Sequence, residues 1–148
     1  MLECVMKRLL AAVAVVTMLV GSSALAFDPA DLKKLRETNE CASCDLSQAD
    51  LFNDELTNAN LIGADLYSAD LSNADLSNAN LSNVSMYYAD LIGTNLNNAN
   101  LSNADLRYAD LRYADLTGAD LTGVNWYDTT CPDGTNSDDN GNTCENNL

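Results

Sequence analysis

The residues with the clearest capacity for chemistry are five cysteines and a large excess of acids, in a chain of 148 residues without a single histidine. Cys41 and Cys44 form a CxxC pair, while Cys131 and Cys144 bracket a loop rich in Asp, Asn, Gly, Ser and Thr. A CxxC suggests redox work only in a βαβ setting, and without histidine neither c-type haem attachment nor a His-containing zinc site can be built. The missing histidine also removes the usual general base near neutral pH. No nucleophile elbow and no phosphate loop stands in the sequence, so no enzyme class is expected and no cofactor is implied. The formal net charge is −15, from 22 Asp and Glu against 7 Lys and Arg, so a nucleic-acid backbone would be repelled.

Lys7 and Arg8 precede an apolar run from Leu9 to Val20, followed by Gly21-Ser22-Ser23 and Ala24-Leu25-Ala26. That order is a secretory signal peptide with cleavage after Ala26 and a mature start at Phe27. An uncleaved anchor would need a longer apolar run, so no membrane association is expected after cleavage. Cys4 lies ahead of the apolar run and carries no function. Export places the remaining four cysteines where disulfides form. The expected compartment is periplasmic or secreted, or a thylakoid lumen if the source is a cyanobacterium.

What must position the other residues is a repeat of five. From Leu46 to Trp126 seventeen units follow one another. Their central residue is Leu except at Met86 and Trp126; the residue before it is nearly always Asp or Asn, and the residue two before it is usually Ala. A step of five suits neither a strand of period two nor a helix of 3.6 residues per turn. The apolar residues stay inward only if the chain bends once per unit, so that each pentapeptide forms one side of a stacked polygon. Asn73, Asn78, Gly63 and Gly118 suit the corners. A leucine at every fifth place supplies burial that a disordered acidic segment would not need.

The A(D/N)LXX pattern over residues 44–126 resembles the pentapeptide-repeat proteins. The resemblance implies an all-β, right-handed quadrilateral parallel β-helix with four units per coil and a repeat of twenty residues. The expected organisation is a signal peptide at 1–26, a helical cap at 27–43 with a short helix near 29–39 opened by Asp28-Pro29, the β-helix at 44–128, and a disulfide-closed tail at 129–148. At about 4.8 Å per coil the rod would be about 20 Å tall. Cys41 and Cys44 fall in inward registers and resemble the cysteine pair of some exported members, as a structural disulfide or two buried thiols. The Cys131 and Cys144 pair after Trp126 resembles a paired-cysteine tail in such members. Two local bonds, Cys41–Cys44 and Cys131–Cys144, are expected, and a zinc site built from all four is excluded by their placement at opposite ends.

The fourfold register implied by the resemblance sorts the outward residues. Asp50, Asp70, Asp90 and Asp110 form a ladder that repels itself, open to weak cation binding or, as a solvated face, to raised carboxylate pKa values. Asn60, Asn80, Asn100 and Asp120 form another, able to hydrogen-bond along the rod. Tyr67, Tyr87 and Tyr127 share a column with Arg107, Tyr88 and Tyr108 occupy the next, and Arg112 with Tyr113 stands on the following face. These eight are the candidate interaction surface, since exposed aromatics beside Arg suit a protein contact, although stacked tyrosines also stabilise a sheet by themselves. Asp54, the one acid in the small inward register, is expected to meet cap backbone or water. Asn136 to Gly141 resembles the start of an EF-hand loop, but its twelfth position falls on Asn147 instead of Glu, so no metal is expected. The functional expectation is a rigid exported module that binds a protein partner, with a homodimer by end or face stacking as a further form. The alternative, suggested by the quinolone-resistance members, is a DNA mimic that occupies gyrase.

Overall fold

The computed structural model describes residues 27–145; residues 1–26, on which the signal-peptide expectation and Cys4 fall, and the final residues 146–148 lie outside it. Every parallel bridge in that span joins residues twenty apart, from Glu40–Asn60 through Asp70–Asp90 to Asp110–Thr130. Four pentapeptides therefore close one coil, and each side is a single paired residue between two bends instead of a long strand. The ladder starts at Glu40 and runs to Thr130, somewhat beyond the 44–128 expected from the repeat alone. Among the described residues no helix is long and apolar enough to cross a membrane.

The reason for a five-residue side lies in its hydrogen bonds, because a buried backbone N–H without a partner is costly. In the unit Ala69 to Asn73, Ala69 N donates to Leu66 O across the corner at 3.0 Å. Asp70 N donates down the rod to Ala49 O, Leu71 N donates up to Asp90 O, and Asn73 N donates up to Ile92 O, at 2.8 to 3.0 Å. The fifth donor, Ser72 N, is taken by the side chain of Asp70 at 3.0 Å. The same bond from the Asp or Asn to the N–H two residues on recurs at Asp50, Asp65, Asp75, Asn80, Asp90, Asn100 and Asp120. This local bond is a well-known competitor of regular secondary structure. Here it completes the side of the coil.

The corners are equally uniform. Every residue two after the central one, from Gln48 to Asp128, has positive φ, which together with the three-residue-back hydrogen bond marks a type II turn. Asn and Gly bear that conformation at least cost. Gly93 has a second reason, since a Cβ there would stand 2.8 Å from Asn73 Oδ1 in the coil below.

Inside, the Leu row from Leu46 to Leu111 and the Ala row beside it are fully buried, with Met86, Val84 and Trp126 continuing them. Thr94 and Thr129, two polar residues in the Ala row, each donate to a carbonyl of the coil below, Leu71 O and Leu106 O, at 2.8 Å. Among the described residues no buried side-chain polar atom lacks a partner.

Helix α1, Pro29–Thr38, closes the N-terminal end. Asp28 caps it by accepting from Ala30 N, Asn39 ends it in the left-handed region, and Leu35 fills the open lumen. Asp54 meets a side chain of the cap instead of its backbone. Its carboxylate accepts from Arg36 Nε at 2.8 Å, while Arg36 also donates to Asp50 O at 2.7 Å. The misplaced acid in the small register is thus the docking point of the capping helix, which a sequence scan for lumen residues misses.

Leu91→Asp should unfold the rod or cost several kcal/mol, since an unpaired carboxylate would enter the leucine lumen. At the neighbouring position Asp90→Asn should be near neutral because it keeps the acceptor for Ile92 N, whereas Asp90→Ala should cost about 1 kcal/mol. Chemical denaturation measures all three. If Asp90→Ala stabilised as much as Asp90→Asn, the carboxylate would be acting through charge and not as a backbone acceptor.

Candidate protein-interaction surface

The twenty-residue register brings five of the six tyrosines together. Tyr67 and Tyr87 stack with ring centroids 6.0 Å apart at 12°, and Tyr88 stacks on Tyr108 at 4.9 Å and 29°. The two columns meet edge to face, Tyr87 with Tyr88 at 4.5 Å and Tyr87 with Tyr108 at 5.2 Å. Tyr127 joins through Tyr108 at 5.6 Å. Offset-stacked and edge-to-face pairs at such distances are the favoured aromatic geometries. Arg107 fills the empty rung with its guanidinium 5.0 Å from the Tyr87 centroid.

Both arginines of the candidate surface are committed locally. Arg107 grips Asp105 through two bonds of 2.8 and 2.6 Å, and Arg112 grips Asp110 likewise, its shortest contact being 2.7 Å. Such fork-to-carboxylate pairs fix the side chains while cancelling their charge. Tyr113 is 80% exposed and stands on the next face with no ring partner among the described residues. The eight residues therefore divide into one contiguous cluster, Tyr67, Tyr87, Tyr88, Arg107, Tyr108 and Tyr127, and a separate pair, Arg112 and Tyr113.

Three of these rings occupy conformations that the fold would give to other residues. Tyr88, Tyr108 and Tyr113 sit at corners with φ of 60° to 63°. A bulky residue in that region is a genuine outlier. Tyr88 and Tyr108 regain contact energy from their stack; Tyr113 has no such compensation. The outward register of these tyrosines is legible in the repeat, whereas their placement where Asn or Gly would cost less is a property of the folded corner.

Of the ladder expected to carry raised carboxylates, Asp110 is shifted the other way, and four aspartates of other columns are lowered with it. The hydrogen bonds from Ser77 hold the Asp75 carboxyl below the usual range, and those from Thr117 and Thr122 do the same for Asp115 and Asp120. The Arg107 guanidinium lowers Asp105. At Asp110 desolvation works upward, yet the bonds from Arg112 outweigh it and the net shift is downward. In these five aspartates the carboxylate is an acceptor for its own unit, and that bonding favours the charged form. Cross-coil side-chain bonds also form, from Asn60 to Glu40 and from Asn95 to Asp75. In contrast, partial burial among neighbouring rings pushes the Tyr87 and Tyr108 phenols upward.

The cysteines are bonded as Cys41–Cys44 and Cys131–Cys144, with Cα atoms 5.2 and 5.3 Å apart. Asp31 lies beside the first pair, within 4.8 Å of both sulfurs. Its carboxylate accepts from Asp45 N at 2.9 Å and Cys41 Sγ contacts its carbonyl, so the group ties α1 to the first coil. In the tail, Asn136 caps a short 3-10 turn at Ser137–Asn140, and Ser137 is fully buried with its hydroxyl donating to Trp126 O. Asn136 and Asp138 are spent on Asp128, one donating to its side chain and the other accepting from its N–H. The start of the EF-hand-like stretch is thereby tied to the last coil at Trp126, Asp128 and Thr129.

A four-sided parallel β-helix made of five-residue sides, closed by a helix at one end and a disulfide loop at the other, defines the class. The pentapeptide-repeat family model matches residues 44–83 and 85–123 in eight copies. The chain belongs to the pentapeptide-repeat family, whose coil is right-handed and quadrilateral. A pentapeptide repeat protein of Nostoc PCC 7120 is 35% identical, with a TM-score of 0.55 over 68% of this chain and 78% of its own. Another, from the Arabidopsis thaliana thylakoid lumen, is 30% identical, with a TM-score of 0.50 over 59% of this chain. This chain spans 64% of that protein's length. The plasmid-mediated fluoroquinolone resistance protein QnrB1 is 25% identical with a TM-score of 0.18, a likeness that carries no argument here. No curated protein matches the chain significantly.

Because the folded values of Asp75, Asp105, Asp110, Asp115 and Asp120 lie below the unfolded value near 3.9, their ionised forms stabilise the rod above about pH 4, and that stability is lost as pH falls through the folded values. NMR titration should place these carboxyls below the ordinary midpoint, with the melting temperature falling over the same range; midpoints above it would show that repulsion between stacked acids outweighs the hydrogen bonds of each unit. For the disulfides, peptide mapping without reductant should recover the two local pairs. Loop length alone makes Cys131–Cys144 worth about 3 kcal/mol against about 2 for Cys41–Cys44, so Cys131→Ser with Cys144→Ser should lower the melting point further than the corresponding pair at the other end.

Proposed function

We propose that this chain is an exported, non-catalytic interaction module: a rigid rod that presents Tyr67, Tyr87, Tyr88, Arg107, Tyr108, Arg112, Tyr113 and Tyr127 to a protein partner. The observation that carries the reading is the presence of three tyrosines at left-handed corners. Nothing about the coil requires a ring there, and the conformational cost is borne in exchange for exposed aromatic surface. Family members generally serve as structural or interaction modules. The targeting pattern at 1–26 and the two disulfides support export, to a periplasm, the exterior or a thylakoid lumen, and one similar structure is itself a lumen protein. The charge of −15 argues against nucleic acid as partner. No specific observation favours the gyrase-directed DNA mimic.

Tyr113→Asn should raise the melting point by a few degrees, since it relieves the corner and removes no ring contact. Changing Tyr67, Tyr87, Tyr88 and Tyr108 together to Ser should leave a folded rod that no longer captures its partner in crosslinking from the native compartment. Full capture by the folded variant would retire the reading. Failure of that variant to fold would show that the rings chiefly hold the coils together.

A further inference from the structure

The chemistry of the ring face specifies what would sit on it. The columns Tyr67, Tyr87 and Tyr88, Tyr108 run between two acidic columns set by the same register, with Asp65 on one side, Asp105 above it being paired with Arg107, and Asp70 and Asp90 on the other. Tyr67, Tyr88 and Tyr127 are 39%, 50% and 52% exposed, and Asp65 and Asp70 are exposed beside them. A neutral phenol ring presents a negative π face, and the upward shift of Tyr87 and Tyr108 has partial burial as its largest cause. Flanking carboxylates add charge of the same sign. The cations on this side of the rod, Arg107 and Arg112, are each cancelled by a bidentate aspartate; the lysines of the described residues, Lys33 and Lys34, both lie in α1 at the capped end.

The surface therefore offers π faces and carboxylates together, with no cation left to meet an acidic ligand. Arg107 already seats its guanidinium over Tyr87, which demonstrates within the molecule what kind of group these rings accept. From Tyr67 to Tyr127 the face extends over three coil steps, about 14 Å, enough for about four residues of extended chain.

We infer that the tyrosine face docks a cationic segment of a partner protein, one whose Arg or Lys side chains lie on the exposed rings and reach the flanking carboxylates. The inference rests on the interaction-surface reading above and names the class of partner. An anionic lipid surface or an acidic peptide would meet like charge on this face and be repelled.

A fluorescein-labelled hexa-arginine peptide, titrated into the full disulfide-intact chain at physiological salt, tests the inference by fluorescence polarisation, with a hexaglutamate peptide alongside. Binding of hexa-arginine should fall about tenfold in Tyr67→Ser/Tyr88→Ser. It should fall by a similar factor in Asp65→Asn/Asp70→Asn/Asp90→Asn, which keeps the backbone acceptors. The charge-matched change Glu55→Gln/Asp75→Asn/Asp115→Asn, on the opposite face, should matter less than about twofold. Tyr67→Leu/Tyr88→Leu, which keeps apolar area and loses the ring, must weaken binding like the Ser variant; this serves as the folded comparison if the latter melts. Equal loss from the two acidic faces, indifference to the tyrosines, or tighter binding of hexaglutamate would each overturn the cationic assignment. In those cases a native partner still lost from the four-tyrosine variant would leave the interaction surface standing with another ligand, so the two failures are distinguishable.

Discussion

The fold depends on completing the five backbone N–H bonds of a repeating side of the coil, as in the unit Ala69 to Asn73. Four of them run across the corner or along the rod, and stacking supplies their partners. The fifth has no carbonyl within reach and is met by the carboxylate or amide two residues earlier, as Asp70 meets Ser72 N. The aspartate column is therefore part of the backbone network. This explains why a chain with so much negative charge can stack acids on acids: the aspartates of the coil sides are held by donors of their own units, and the downward shifts at Asp75, Asp115 and Asp120 follow from those donors.

The same constraint decides how the rod ends. A stacked coil leaves unpaired edge groups and an open lumen at each end. At the N-terminal end Leu35 plugs the lumen while Arg36 crosses to Asp54 and Asp50 O, turning an acid in an inward register into an anchor. At the other end Trp126, Ser137 and the Cys131–Cys144 loop cover two sides of the last coil, whereas Ala119, Leu121 and Val124 stay only partly buried. The two closures use different means because one is a helix laid on the rod and the other is a loop folded back over it.

Since Leu, Ala and Asp meet the demands of the coil, the two remaining positions of each unit are released from them in different degrees. The residue after the central one faces outward with its N–H already satisfied, so Ser, Thr, Ile, Arg or Tyr all serve. The corner residue is less free, because its positive φ favours Asn and Gly. Tyrosines at three corners thus run against the local preference, and conflict between a residue and its local structure is where function is expected to show. That conflict, joined to the stacked rings and flanking carboxylates, separates the face bearing Tyr88 and Tyr108 from the Ser, Thr and Asn faces.

Much of the architecture was legible in the sequence because the interactions that create it are local and repeated. One period of five in Leu, Ala and Asp specifies inward and outward registers, and family resemblance supplied the four-sided coil that a single pentapeptide cannot reveal. The grouping of Tyr67, Tyr87 and Tyr127 with Tyr88 and Tyr108 followed from that register. The role of the carboxylates was not legible, since a row of acids read along the sequence signals repulsion, and only the folded corner shows that each Oδ1 reaches an N–H two residues on. Nor was the pairing of Asp54 with Arg36, which lie eighteen residues apart and meet only after the helix is laid across the lumen. Periodicity determined which residues face inward, because burial repeats with the chain; tertiary structure decided what the charged groups do, because their partners come from wherever folding brings a donor within about 3 Å.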